Sequence, residues 1–201
     1  IRHERGNAAE RAMYADFLHE AADILQKPAL RDAVNGFRQS EATWAALADL
    51  SDPEIPVISL RDLGILRDVR TGADGLEVVI TPTYSGCPAM GQIEDDLRST
   101  LKNRGISARV VTQLAPSCTT DWMSDAAKER LRAYGIAPPH RTPASSTVVR
   151  FIARPATAET VPCPRCGSGN TVESAHFGST ACKALYKCLD CQEPFDYFKP
   201  Y

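Results

Sequence analysis

Five cysteines fall within CPRCGSGNTVESAHFGSTACKALYKCLDC, residues 163–191. Cys163 and Cys166 form one Cys-x-x-Cys pair, Cys188 and Cys191 a second, with 21 residues between the pairs. Two residues between thiolates let a tight turn aim both sulfurs at one ion. Two such turns supply the four ligands of a closed structural zinc site. The gap is close to the usual spacing of about 15–20 residues. Gly167 suits the first turn, whereas the second, CLDCQ, has no glycine. A segment of ~40 residues has too little core to fold unaided, so the metal is expected to hold it together. Iron held as in rubredoxin is the alternative occupant of the same four thiolates. Cys182 is the fifth cysteine. It sits six residues before Cys188 on an expected strand, where six residues span about 20 Å, too far to share the ion unless the chain turns back. It reads as a left-over, buried thiol. His176 could replace a thiolate but is not needed.

Two further thiols lie upstream. Cys87 is in TPTYSGCPAM, followed by Pro88, which suits a first helical position. That reading puts Cys87 at a helix N-cap, where the helix dipole favours a thiolate, the form that attacks or binds metal. The plain alternative is a small residue packed at a helix start. Cys118 stands in PSCTTDW.

The elements that must position these thiols follow from periodicity and punctuation. Met13, Tyr14, Phe17, Leu18, Ala21, Ala22 and Leu25 recur at helical spacing, and Pro28 breaks that helix. Leu30, Ala33, Val34 and Phe37 repeat the pattern up to Asn35-Gly36, which either ends or weakens the piece, and Ser40 reads as the cap of another helix through Leu50. Strands are expected at 64–70 and 76–82 around a turn at 71–75. A helix follows from Pro88 to Lys102 with Ile93, Leu97 and Leu101 as its buried row. SARVVTQL is a third strand. Ser124 then caps a helix carrying Ala127, Leu131 and Tyr134, which Gly135 stops. The order α-β-β-α-β-α describes a small α+β domain over 41–137. A helical N-terminal extension (1–40) precedes it, and a Pro/Ser/Thr-rich linker (138–160) and the ribbon (161–201) follow. TVVRFIARP offers an extra strand within the linker.

Composition bounds the function. The 201-residue chain has a net charge of −2, with 43% hydrophobic and 24% charged residues, an ordinary globular profile. Within 161–201, Arg165, Lys183, Lys187 and Lys199 balance Glu173, Asp190, Glu193 and Asp196. A nucleic-acid ribbon needs an excess of basic charge. The reading is therefore a module without nucleic acid, its aromatics suited to a protein contact. No apolar run approaches the ~20 residues of a membrane helix, so no membrane partner is expected. The charged start IRHERGNAAERAMY lacks a secretory apolar core. Seven cysteines without such a signal point to the reducing cytoplasm.

Four stretches, SDPEIPVISLRDLGILRDV, ITPTYSGCPAM, TTDWMSDAAKERLRAYGIAPP and FGSTACKALYKCLDCQEPFDYFKP, together closely resemble the PaaD family. Its members are the D subunits encoded with the phenylacetyl-CoA epoxidase (phenylacetate-CoA oxygenase) complex. The resemblance covers about residues 44–201. The middle domain is also similar to the SufT iron–sulfur assembly domain. The resemblance implies that Asp52, Pro53, Glu54, Thr81, Pro82 and Cys87 are motif positions, with Asp52 and Glu54 near Cys87. It also carries over the ribbon cysteines and the GSTACKALY block that holds Cys182. It implies a non-catalytic accessory role: maturing or inserting the iron–sulfur cluster of the complex's reductase subunit, PaaE, in phenylacetate breakdown. Structural zinc and a transient iron–sulfur cluster are the implied cofactors, and the reductase and other epoxidase subunits the implied partners. The sequence leaves open whether the chain forms a homodimer. Two departures stand out. Cys118 replaces a tryptophan common in the family, so either packing differs there or an extra ligand is present. The first forty residues match nothing in the family pattern and are expected to be separable.

Two rival readings come from other classes. A thiol-dependent redox enzyme would use Cys87 as nucleophile, but His3, His19, His140 and His176 all lie outside the core domain. A zinc-ribbon nucleic-acid-binding protein is opposed by charge.

Overall fold

The hairpin at the centre of the chain is set by two glycines. In the computed structural model, which describes residues 8–25, 27–84, 86–140 and 160–201, strand β1 (Leu66–Gly72) pairs antiparallel with β2 (Gly75–Ile80). Gly72 and Gly75 face one another across the turn, and Gly75 adopts φ 115°, where a side chain would strain the backbone. Helix α3 (Met90–Asn103) then crosses over and returns the chain to β3 (Ala108–Thr112), which pairs parallel with β2. The crossover buries Ile93, Leu97 and Leu101, the row that the i, i+4, i+8 spacing predicts. Helix α4 (Asp125–Tyr134) keeps the expected punctuation. The Ser124 hydroxyl accepts from the Ala127 amide, and Gly135 closes the helix at φ 99°.

The N-terminal part departs from expectation. Helix α1 (Ala8–Ile24) ends before Pro28, which opens helix α2 (Pro28–Leu47). Helix α2 runs without interruption through Asn35-Gly36, so Ser40 caps nothing and instead donates its hydroxyl to the Gly36 carbonyl at 2.9 Å. The glycine marks a close approach rather than a stop. A Cβ at Gly36 would lie 3.0 Å from Thr71 Oγ1 on β1. The expected boundary at 40/41 therefore falls inside a helix that packs on the central sheet. On α1 the small residues Ala15 and Ala22 are buried, while Met13, Tyr14 and Phe17 point outward.

A second sheet, in the order β4-β7-β6-β5, is built from β4 (Ile136–Ala137), β5 (Thr171–Ala175), β6 (Lys183–Cys188) and β7 (Pro194–Phe198). Its edge strand β4 directly follows α4, and it pairs parallel with β7 of the ribbon. Phe198, 1% exposed, sits in the same apolar core as Leu97 and Leu131. The ribbon is therefore docked on the α+β unit through hydrogen bonds and shared core. Residues 141–159, including TVVRFIARP, lie outside the described residues.

Candidate functional site: a thiol quartet and an acidic thiol pocket

The ribbon thiols are gathered by two turns of the same shape. Gly167, at φ 74°, lets its amide turn back to the Cys163 carbonyl at 2.9 Å. Gln192 takes the equivalent left-handed conformation at φ 63°, doing without the missing glycine. The Cys188 amide meets the Glu193 carbonyl at 3.0 Å. Asp190 ties the turns together by accepting from Ser168 and from Asn170 Nδ2. As a result the sulfurs of Cys163, Cys166, Cys188 and Cys191 lie within 4.8 Å of one another, with Cys163–Cys191 at 3.8 Å and Cys166–Cys188 at 3.6 Å. The proton affinities show what such crowding needs. The amides of Cys191 and Asp190 help to draw Cys188 down to about 7. Cys191, although the Glu193 amide favours its thiolate, is pushed up to about 12 by burial and the neighbouring thiols. Four thiolates this close cannot coexist without a cation. An all-sulfur set suits a soft metal ion in tetrahedral coordination. Cys182 and His176 lie outside the quartet, and His176 Nδ1 is 3.0 Å from Glu173.

The second group of predicted residues assembles at the end of β2. The Thr81 amide still bonds back to Ile65, and Pro82 then releases the chain from the sheet. The Thr81 hydroxyl is buried and has no hydrogen-bond partner among the described residues. The chain turns so that the Cys87 amide reaches the Tyr84 carbonyl at 3.3 Å. Asp52 folds the opposite wall. Its Oδ1 accepts from the amides of Glu54 and Ile55 at 2.8 and 2.9 Å, with the exposed Pro53 at the bend between them. Burial raises Asp52 against those two hydrogen bonds, and burial and then the Asp52 charge raise Glu54.

The structure changes the expected chemistry of Cys87. Helix α3 begins at Met90 with Ala89 as its N-cap, so Pro88 is not the first helical residue and Cys87 stands two positions before the cap. Burial pushes the Cys87 thiol up; the Ala89 amide opposes this, while the charges of Glu54 and Asp52 add to it. The helix end therefore does not hold a resting thiolate at Cys87. Cys118 is 5% exposed, and its thiol meets the Leu63 carbonyl at 3.4 Å. A Cβ at Gly64 would lie 3.5 Å from its sulfur, so Cys118 packs tightly against the backbone there. Cys182, read from spacing as a left-over thiol, does stand outside the quartet, just ahead of β6, but spacing did not show what surrounds it. It packs on the core of the α+β unit, as does Cys87, and the Glu54 charge bears on both thiols. Cys87 and Cys182 are 95 positions apart in the chain, and no local spacing relates them.

Residues 150–199 match the family described as the PaaD zinc beta ribbon domain, and residues 40–112 match the family described as iron–sulfur cluster assembly protein. An Escherichia coli (strain K12) protein, named as the D subunit of a "Putative 1,2-phenylacetyl-CoA epoxidase", is 45% identical over 162 residues, covering 80% of this chain and 93% of that protein. The chain belongs to the PaaD family. The assembly part of this PaaD-family chain is also 35% identical over 97 residues to a Porphyromonas gingivalis (strain ATCC BAA-308 / W83) protein named "Fe-S protein maturation auxiliary factor", which spans 46% of this chain and 91% of the relative. Among solved structures, a domain of unknown function DUF59 from Bacillus anthracis is 26% identical, with a TM-score of 0.45 over 49% of the PaaD-family chain and 96% of that domain. In this PaaD-family chain the ribbon and an iron–sulfur assembly domain are joined in one α+β molecule with a four-cysteine metal site.

Proposed function

We propose that this chain is a non-catalytic accessory protein of a phenylacetyl-CoA epoxidase system in phenylacetate catabolism. In this reading it helps an iron–sulfur cluster reach the reductase subunit, acts in the cytoplasm, and carries zinc in its ribbon as a structural ion. The names of the E. coli and P. gingivalis relatives supply the two halves of this reading. Zinc suits the ribbon because it has no redox chemistry and accepts a closed tetrahedral tetrathiolate.

The observation that carries the proposal is the environment of Cys87. A nucleophilic cysteine needs a depressed proton affinity and a base. Cys87 has the opposite: burial and two acidic neighbours keep it protonated. His140 lies 2.9 Å from the Tyr197 hydroxyl and His176 pairs with Glu173, both on the ribbon side. A protonated thiol beside Asp52 and Glu54 is suited to a cation as substrate. The carboxylates attract the ion, the ion's charge makes the thiolate favourable, and the thiolate becomes its ligand. Without the cation the thiol stays quiet. That behaviour fits a site that receives and releases iron rather than one that turns over an organic substrate.

The test is reconstitution of the apo-reductase with iron and sulfide, with and without this protein. The wild-type chain is expected to speed cluster acquisition. Cys87→Ser, with fold and ribbon zinc intact, is expected to lose that effect. Equal rates with wild type and Cys87→Ser would reject this reading.

A further inference from the structure

A cavity of about 630 Å³ lies between the α+β unit and the ribbon. Thr83 and Tyr84, from the Cys87 turn, line one side, and Cys182, Phe177, Tyr186 and Tyr201 line the other. Tyr84, whose carbonyl accepts from the Cys87 amide at 3.3 Å, is raised by burial first and then by the charges of Cys87, Cys182 and Glu54. Cys182 thus lines the cavity directly, Cys87 belongs to the turn whose Thr83 and Tyr84 form the facing wall, both thiols pack against the same core, and the Glu54 charge bears on both.

The balance of charge around this space resembles that of the ribbon quartet. Asp52, Glu54, Cys87 and Cys182 can all become anions. Lys183, which is 6% exposed and already 3.4 Å from Asp196, bears on Asp52, Glu54 and Cys182. Two thiols and two carboxylates, brought to this region from separate segments, are a donor set that a cation would suit. The set is more open than the quartet: among the described residues only the ribbon sulfurs, as a group of three or more donors, already lie within 4.8 Å of one another. Such spacing suits a sulfide-bridged cluster, whose iron atoms spread the ligands apart, or a single ion on which the two segments close. Both are thiolate-ligated iron.

We propose that Cys182, carried by the ribbon, joins Cys87 as the second thiolate ligand of the iron species handled at the assembly domain, with Glu54 as the adjoining carboxylate. The ribbon then completes the site, and its zinc fixes the sheet that presents Cys182. This rests on the reading that the Cys87 site handles iron, but its test needs no reductase.

The experiment uses the full chain with zinc already in the ribbon, kept anaerobic, in two arms. One arm adds Co(II) alone, and the other adds iron and sulfide. Thiolate-to-metal charge-transfer absorption beyond that of the ribbon reads the second site. The wild type is expected to bind in at least one arm: cobalt binding indicates an ion site, and binding only with iron and sulfide indicates a cluster site. Cys182→Ser and Cys87→Ser are each expected to weaken binding by at least about tenfold, the smallest loss that removing even a supporting group causes. Zinc content and melting temperature report the fold of each variant. Should Cys182→Ser disturb the fold, alkylation mapping of the wild type decides, because the bound metal is expected to protect Cys87 and Cys182 together. Wild-type binding retained in Cys182→Ser, protection of Cys87 without Cys182, or a wild type that binds in neither arm would each overturn the proposal. Intact binding with no effect on the reductase would count against the delivery role alone.

Discussion

Cys87 is governed by desolvation and by its acidic neighbours more than by the helix that follows it. Its thiol is raised above the ordinary range, with burial as the largest cause and Glu54 and Asp52 adding to it. The sign of the consequence is direct. At neutral pH the thiolate fraction is below that of a free cysteine, so Cys87 should alkylate slowly and accelerate as pH rises past the ordinary thiol range. Glu54→Gln removes one of the charges that raise it. The rate at neutral pH should then increase, by up to about tenfold for a shift of one pKa unit. Mass-spectrometric alkylation rates across pH check this. A Cys87 that reacts faster than free cysteine at pH 7 would show that the helix end dominates after all. Cys188 is the contrasting case. It is 0% exposed, in the quartet, and Cys188→Ser should release the metal because three sulfurs no longer close the tetrahedron. Elemental analysis showing undiminished zinc in that variant would contradict the ligand set.

At the scale of elements, α2 decides what the N-terminal region is. It spans Pro28–Leu47 and buries Val34, Thr43 and Leu47, each 0% exposed. A chain starting at Gln39 therefore begins inside a helix and loses Val34. Burying such a side chain contributes about 1.5–3 kcal/mol. We expect its melting temperature to fall by about 3–12 °C, since 1 kcal/mol moves a chain of this size by about 2–4 °C. A chain starting at Lys27 keeps α2 whole and should fall less. Calorimetry of the two truncations separates the cases, and an unchanged melt for the Gln39 start would make the first half of α2 dispensable. The exposed Met13, Tyr14 and Phe17 on α1 add little to this balance, because their surfaces remain in water.

Across the whole molecule, the ribbon is coupled to the α+β unit. Strand β7 pairs with β4, the Thr120 amide bonds the Tyr201 carbonyl at 3.2 Å, and Phe198 fills the shared core. Metal loss should therefore be felt beyond the ribbon. Stripping zinc with a chelator is expected to lower the melting temperature of the entire chain, and Phe198→Ala should cost about 3–5 kcal/mol although it is no member of the metal quartet. Two independent transitions, with that of the α+β unit unmoved by the chelator, would show that the interface carries no stability. The same coupling is how the ribbon ion would matter to the proposed iron site, because Cys182 lines the cavity directly ahead of β6.

What the sequence determined by itself is whatever short spacing controls. The quartet follows from two Cys-x-x-Cys turns, the buried face of α3 from Ile93, Leu97 and Leu101, and the limits of α4 from Ser124 and Gly135, because each depends on neighbours within a few residues. Family membership was legible for a related reason, since four long stretches keep their residue order. Even within that range Asn35-Gly36 left two readings open, because the glycine answers to Thr71 on a distant strand and not to the helix that runs through it. The rest was decided by tertiary structure. Whether Cys87 rests as a thiol or a thiolate depends on burial and on carboxylates more than thirty positions away, and desolvation is a property of packing that no local pattern encodes. Whether Cys182 faces solvent or the cavity depends on how the ribbon sheet docks on the α+β unit, through the β4–β7 pairing and a core to which both halves contribute.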